Sequence, residues 1–411
     1  MSRPERLRKL WMALLALGAS AIVLALVLAL LDSGSTPPAP GRVTGASPIA
    51  VTPPPPSAAT ASSTTAAAPP ARPAPRTQQF GASVNWLFNT ANSSQLIGVQ
   101  LQALRATGAT LARTDALWEA SEPHAPIGGV HRFDWTLDDT VAGELAAHHL
   151  RWLPILDYSA PWAQSVPGQD HSPPTSTADY ADYAGAFATR YGTGGTFWRA
   201  HPELPAEPVQ TYEIWNEPDS GVFWVPTPDA ARYAELYAAA RVAIIGADPG
   251  ARVIVGGLTN PSAFLPAMLT AQPSLRGHID GVAIHPYGTP AVVLEKIRAD
   301  RAVLVALGMP DVPLYATEYG WTTAPPGALD YVPAARRPGY IFRTTDALGH
   351  LDCGLAASLL YTWYTPQGDP SNPQDWFGVD GLTGASTADA AAFARGLRRA
   401  RAPGPALALC G

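Results

Sequence analysis

Cysteine is scarce in this chain: there are two, Cys353 and Cys410, in 411 residues, and no Cys-x-x-Cys. A cysteine-built zinc site is therefore excluded. The nine histidines form neither His-Glu-x-x-His nor His-x-His, so no helical metal motif is available and no metal or cofactor is expected. The cluster Gly192-Thr193-Gly194-Gly195 follows a helical stripe rather than a strand, which makes it a turn and not a phosphate cradle. Charge is sparse as well, at 15% Asp, Glu, Lys and Arg with a net of −6, and it is unevenly spread. Residues 1–78 hold seven Lys/Arg against two acids, which leaves the remainder at −11. An acidic globular part argues against nucleic acid as a partner.

What the chain does have is 43 prolines and one long apolar run, both concentrated near its beginning. Arg3, Arg6, Arg8 and Lys9 form a basic tail over residues 1–9. The uncharged stretch Leu10–Leu31 then has the length of a membrane-spanning helix, and the basic flank predicts that everything after it lies outside. A cleaved secretory signal is the alternative, but no small-x-small site closes the run. Residues 32–78 reduce to Pro, Ala, Ser, Thr and Gly and read as a disordered tether. The expected location is thus the cell membrane, single-pass with the folded part outside, or secretion if the signal is removed.

From residue 79 onward, short apolar runs alternate with helical stripes. Strands are expected at 80–87, 110–115, 152–157, 209–217, 253–257, 281–285, 312–318 and 357–363. Between them, Tyr180, Tyr183, Ala184, Phe187, Ala188 and Tyr191 keep helical spacing. Thr227-Pro228-Asp229 and Thr289-Pro290 have the form of helix starts. No dinucleotide-type glycine turn follows the first strand, so the alternation predicts an α/β fold of the (β/α)₈ barrel type over 79–411.

Two strands end in acids. Trp215-Asn216-Glu217-Pro218 closes the fourth and Thr317-Glu318-Tyr319-Gly320-Trp321 the seventh. In a parallel barrel both carboxylates reach one mouth, and two carboxylates flanking one bond is what glycoside hydrolysis needs. These motifs resemble the retaining glycoside hydrolases of clan A, closest in character to families 39 and 5 and including bacterial exopolysaccharide endoglycosidases. The resemblance implies Glu217 as acid and base, Glu318 as nucleophile and Asn216 as a partner of the sugar 2-hydroxyl. It implies Arg113 as the cation paired with the nucleophile. His285 and Tyr287 would bond the nucleophile or the sugar, and Trp363 and Trp321 would supply sugar-stacking rings.

Plainer roles stay open beside these. Arg113 could pair with Asp115 or Asp157, His285 could be a satisfied core residue, and Trp363 could be barrel packing. Glu213 is expected to be a buried structural partner, and Glu119, Glu122, Asp138 and Asp139 to brace the second βα unit. The implied substrate is a polysaccharide or oligosaccharide outside the membrane, cleaved at β-linkages by a monomer. A non-catalytic carbohydrate-binding barrel and a transglycosylase are the alternatives. Cys353 precedes the last strand and Cys410 follows the last helix, so a disulfide between them is expected at the N-terminal end of the barrel.

Overall fold

The computed structural model describes residues 78–89, 92–381 and 386–410. The expected basic tail at 1–9, the membrane helix at 10–31 and all of the tether at 32–78 except Gln78 lie outside the described residues. Among the described residues, no helix is long and apolar enough to cross a membrane.

Eight strands run β1 Gln79–Ser83, β2 Leu111–Leu117, β3 Arg151–Asp157, β4 Thr211–Asn216, β5 Arg252–Leu258, β6 Val282–Ile284, β7 Leu314–Tyr319 and β8 Leu355–Leu360. Each pairs in parallel with its sequence neighbour, and β1 pairs with β8, so the sheet closes into a barrel. The expected strand series is present with shifted ends. β1 stops at Ser83 because the chain turns into the short helix α1 Asn85–Phe88. β8 stops at Leu360, three residues before the expected end.

The α-helices that follow among the described residues are α2 Ser94–Ala106, α3 Trp118–Ser121, α4 Thr136–Ala147, α5 Thr177–Tyr191, α6 Thr196–Ala200, α7 Ala230–Ala247, α8 Pro261–Ala271, α9 Pro290–Ala306, α10 Arg337–Leu348 and α11 Ala388–Ala400. Side-chain oxygens of Ser93, Ser176, Asp229, Thr289 and Thr387 cap the free amides that open α2, α5, α7, α9 and α11.

Two apolar layers hold the barrel. Inside it, Leu111, Leu153, Ile254, Ala283, Tyr315, Ala357 and Leu359 fill the lumen, as the two-residue alternation of side chains requires. Outside it, the helix stripes pack on the opposite strand faces; the expected set from Tyr180 to Tyr191 is buried throughout. Three tyrosines tie helices to strand ends near the mouth. The hydroxyls of Tyr180, Tyr183 and Tyr233 donate to the carbonyls of Leu156, Ala116 and Ile214 at 2.5, 2.7 and 2.8 Å. Such bonds fix where β2, β3 and β4 end, and hence where their last side chains stand.

At the opposite end, Cys353 and Cys410 form a disulfide across 57 residues, with Cα atoms 5.1 Å apart. Beside it, the Asp352 carboxylate accepts the amides of Leu409 and Cys410 at 2.9 Å each, which pins the terminal segment.

Candidate active site

The mouth is built from the last residues of the strands. At the end of β4 the backbone leaves its regular course: Trp215 and Glu217 both take left-handed φ values, 64° and 43°. That conformation is unfavourable for residues with a Cβ and is held only where the surroundings impose it. Trp215 is buried, with its indole N–H donating to the Phe223 carbonyl at 2.7 Å. The result turns Glu217 into the mouth.

Arg113, on β2, is the hub. Its Nε and Nη2 donate to the two oxygens of Glu213 at 2.7 and 3.0 Å. Its Nη1 donates to Glu318 Oε1 at 2.5 Å, and Nη2 also reaches Asn216 Oδ1 at 2.9 Å. Arginine and Glu213 are both fully buried, so this fork is charge-assisted and geometrically fixed. The alternative partners Asp115 and Asp157 are not its ligands. Asp115 instead takes the amides of Asn85 and Asn89 at 2.6 and 2.7 Å.

His285 stands between the two acids. Its Nδ1 lies 2.7 Å from Glu217 Oε1 and 3.7 Å from Glu318 Oε2, and its Nε2 lies 3.2 Å from Thr317 Oγ1. Gly257 makes room for the ring: a Cβ there would come within 2.0 Å of Nε2. Tyr287, next on the same loop, donates its hydroxyl to Glu318 Oε2 at 2.6 Å. Thr317 Oγ1 also reaches Glu213 Oε1 at 3.3 Å, closing the network.

One oxygen each of Glu217 and Glu318, and one nitrogen of His285, all lie within 4.8 Å of one another. That spacing would admit a metal ion, but the donor set is already committed. Arg113 and Tyr287 occupy the oxygens of Glu318, and the carboxylates favour a protonated imidazole rather than a free lone pair.

The two glutamates are driven apart electrically. Burial raises Glu217, and the negative charges of Glu318 and Asp219 add to that; His285 only partly offsets it. Burial would also raise Glu318, but His285, Arg113 and the Tyr287 hydroxyl together overcome it and hold it below the usual carboxylate range. For His285 burial works downward, yet Glu318 and Glu217 outweigh it and the imidazole is raised. Glu217 thus holds its proton to higher pH than Glu318 does.

Of the residues expected from sequence, Arg113, Asn216, Glu217, His285, Tyr287 and Glu318 converge here. Trp363 and Trp321 do not serve as stacking rings. They are 1% and 3% exposed, and their indole N–H groups donate to the carbonyls of Gln100 and Gly288 at 3.0 and 2.7 Å. No face is left for a sugar. Because β8 ends early, the ring that stands over the mouth is Tyr361, half-buried and edge-on to Tyr287 and Phe377. Alternation from the lumen residues Ala357 and Leu359 would have placed it there. Tyr158 was also missed; its hydroxyl is bonded by the Asn216 side chain.

No family model matches this chain, and no curated protein matches it in sequence. Solved structures match it through their fold. A family 39 glycoside hydrolase from Xanthomonas axonopodis pv. citri superposes with a TM-score of 0.60 at 20% identity, over 78% of this chain and 66% of the other. A family 39 β-xylosidase from Caulobacter crescentus gives 0.59 at 21% identity, over 78% and 71%. A subfamily 18 member of glycoside hydrolase family 5 from Bifidobacterium longum, in complex with Manβ1-4GlcNAc, gives 0.59 at 11% identity, over 80% of each chain. This chain thus spans about two thirds of the length of the first of these. Its barrel has the fold of family 39 and family 5 glycoside hydrolases.

Proposed function

We propose that this protein is a retaining β-glycosidase. Glu217 acts as general acid and then base, and Glu318 as the nucleophile that forms a glycosyl-enzyme. The observation that carries the reading is the His285-bridged pair, with carboxylate oxygens within 4.8 Å and opposite pKa displacements. Retaining glycosidases place these carboxyl groups about 5–5.5 Å apart, whereas inverting ones leave about 6.5–9.5 Å for a water. In the first step Glu318 attacks the anomeric carbon while Glu217 gives its proton to the departing oxygen. In the second, Glu217 takes a proton from water, which displaces Glu318. Arg113 and Tyr287 keep the nucleophile ionised and aimed, and Asn216, fixed by Arg113, is placed to hold the sugar 2-hydroxyl. Tyr361 is the stacking ring. The substrate is a β-linked polysaccharide outside the membrane, reached from a tethered barrel; the disulfide and the leading apolar run support that location.

The test is the anomeric configuration of the first product from an activated aryl β-glycoside, followed by proton NMR with the full-length protein. The β-anomer is expected first. Release of the α-anomer, or normal turnover by Glu318→Gln, would refute the assignment. Glu217→Ala should be rescued by azide on the same substrate, since a good leaving group needs no acid.

A further inference from the structure

One set of acids at the mouth has no part in that reading. Asp157 is the last residue of β3, in phase with Leu153, which fills the lumen. Its side chain therefore points inward, at the C-terminal end of the barrel. It is 0% exposed, and neither of its oxygens has a hydrogen-bond partner. A buried carboxyl with both oxygens orphaned is costly unless something completes it. Around it stand Asp115 on β2 and Asp170 in the loop after β3, both electrostatically coupled to it. Glu119 on α3 faces Asp170 in turn. Asp115, Glu119 and Asp170 are half-buried.

Among the described residues, Glu119, Asp157 and Asp170 form no ion pair with lysine or arginine. The Arg113 guanidinium is close enough to act on Asp157, but its nitrogens are committed to Glu213, Glu318 and Asn216. Nor is the group a metal site. The clusters of acids, His and Cys tight enough to share an ion, with donor atoms within 4.8 Å, lie elsewhere among the described residues. The ligand that fits is larger than an ion, carries positive charge and donates hydrogen bonds in more than one direction. A protonated primary amine on a sugar ring, with three N–H donors beside neutral hydroxyls, has that chemistry.

We infer that Asp157, with Asp115, Glu119 and Asp170 around it, forms a subsite for the free amino group of a hexosamine, so that the substrate is a glycan with unacetylated amines. This rests on the glycosidase reading for its place in catalysis but not for its test. Burial and the neighbouring acids push Asp157 well up, toward its neutral form; an arriving ammonium reverses both influences and leaves an ion pair shielded from water.

The experiment measures binding to the full-length Glu318→Gln protein by calorimetry, with two tetrasaccharides of one β-1,4 backbone. One is made of glucosamine and the other of N-acetylglucosamine. The glucosamine tetramer is expected to bind about tenfold more tightly, the worth of one charge-assisted hydrogen bond. Asp157→Asn should bring the two to parity and Glu119→Gln should narrow the gap. In the Glu318→Gln protein most of the gap should survive raising salt from about 20 to about 500 mM, because a pair shielded from water is screened little, and a gap abolished by salt would overturn the inference; this comparison and Glu119→Gln keep the test decisive if Asp157→Asn does not fold. Equal affinity, including none for either, or a preference for the acetylated sugar, overturns the inference. Amine preference without turnover by the unaltered protein would sink the glycosidase reading alone, and turnover of neutral β-glycosides with equal binding would sink this one alone.

Discussion

Arg113→Lys is the sharpest perturbation of the catalytic reading, because it keeps the charge and removes the fork. Arg113 makes four hydrogen bonds, two to Glu213 and one each to Glu318 and Asn216. A lysine has one nitrogen at the end of a flexible stem, and Glu213, fully buried, holds the stronger claim on it. Glu318 then loses a charge-assisted bond worth about 1.5–3 kcal/mol. At about 1.4 kcal/mol per pKa unit, its pKa should rise by about one to two units. The sign follows from the mechanism. Glu318 must be ionised to attack, so activity is lost as pH falls through its pKa, and a raised pKa moves that acidic limb upward. The assay is kcat/KM against pH for an activated aryl glycoside, for which protonation of the leaving group matters little. An acidic limb at the same pH in the variant, with only a lower plateau, would refute the idea that Arg113 sets the charge of Glu318.

Other outcomes follow from the same geometry. Tyr361→Ala should raise KM for oligosaccharides while leaving thermal stability nearly unchanged, whereas Trp363→Phe should do the reverse, costing about 1–3 kcal/mol for the stranded Gln100 carbonyl and the lost packing; a KM effect from Trp363→Phe alone would reverse the assignment. Reducing the Cys353–Cys410 bond frees a 57-residue loop, for which the chain-entropy estimate is about 4 kcal/mol at most. Melting should drop with kcat/KM unaltered, since the bond lies at the end of the barrel away from the glutamates, and a changed kcat/KM would contradict that separation. Burial pushes Asp138 up to about 7, with Ser121 opposing. Its folded form therefore holds a proton that the unfolded chain gives up near pH 4, and stability should fall as pH rises from about 4 to about 7, by up to ~4 kcal/mol. Asp138→Asn should flatten that part of the profile in melts at pH 5 and 8, and an unchanged slope would show that another group causes it.

The sequence made the acids at the strand ends legible because each barrel strand is a short apolar run stopped by a polar residue. Asn216-Glu217-Pro218 and Thr317-Glu318 stand out against such runs. Glu213 could be read as a buried partner from its spacing, but its identity as the anchor of Arg113 could not, since that contact joins residues a hundred positions apart. The expectation for Trp363 failed for a local reason. Trp363 is the larger aromatic, yet β8 ends at Leu360, and that end is set by pairing with β1 and β7 rather than by anything in the strand's own residues. Asp157 was legible only as an alternative partner of Arg113, a role it does not have. An aspartate closing a strand looks like a cap, and only its missing partners in three dimensions set it apart.

The placement of His285 between two glutamates has a consequence for timing. In the resting protein the anion on Glu318 is one of the influences that keep the proton on Glu217. In the proposed mechanism Glu318 becomes an ester to the sugar, and that anion vanishes. One of the negative influences on Glu217 is thereby removed, so its carboxylate is more readily held ionised and free to take a proton from water. The same carboxyl is thereby an acid before the covalent step and a base after it, with no movement of the backbone. The nucleophile's own occupancy acts as the clock that resets its partner.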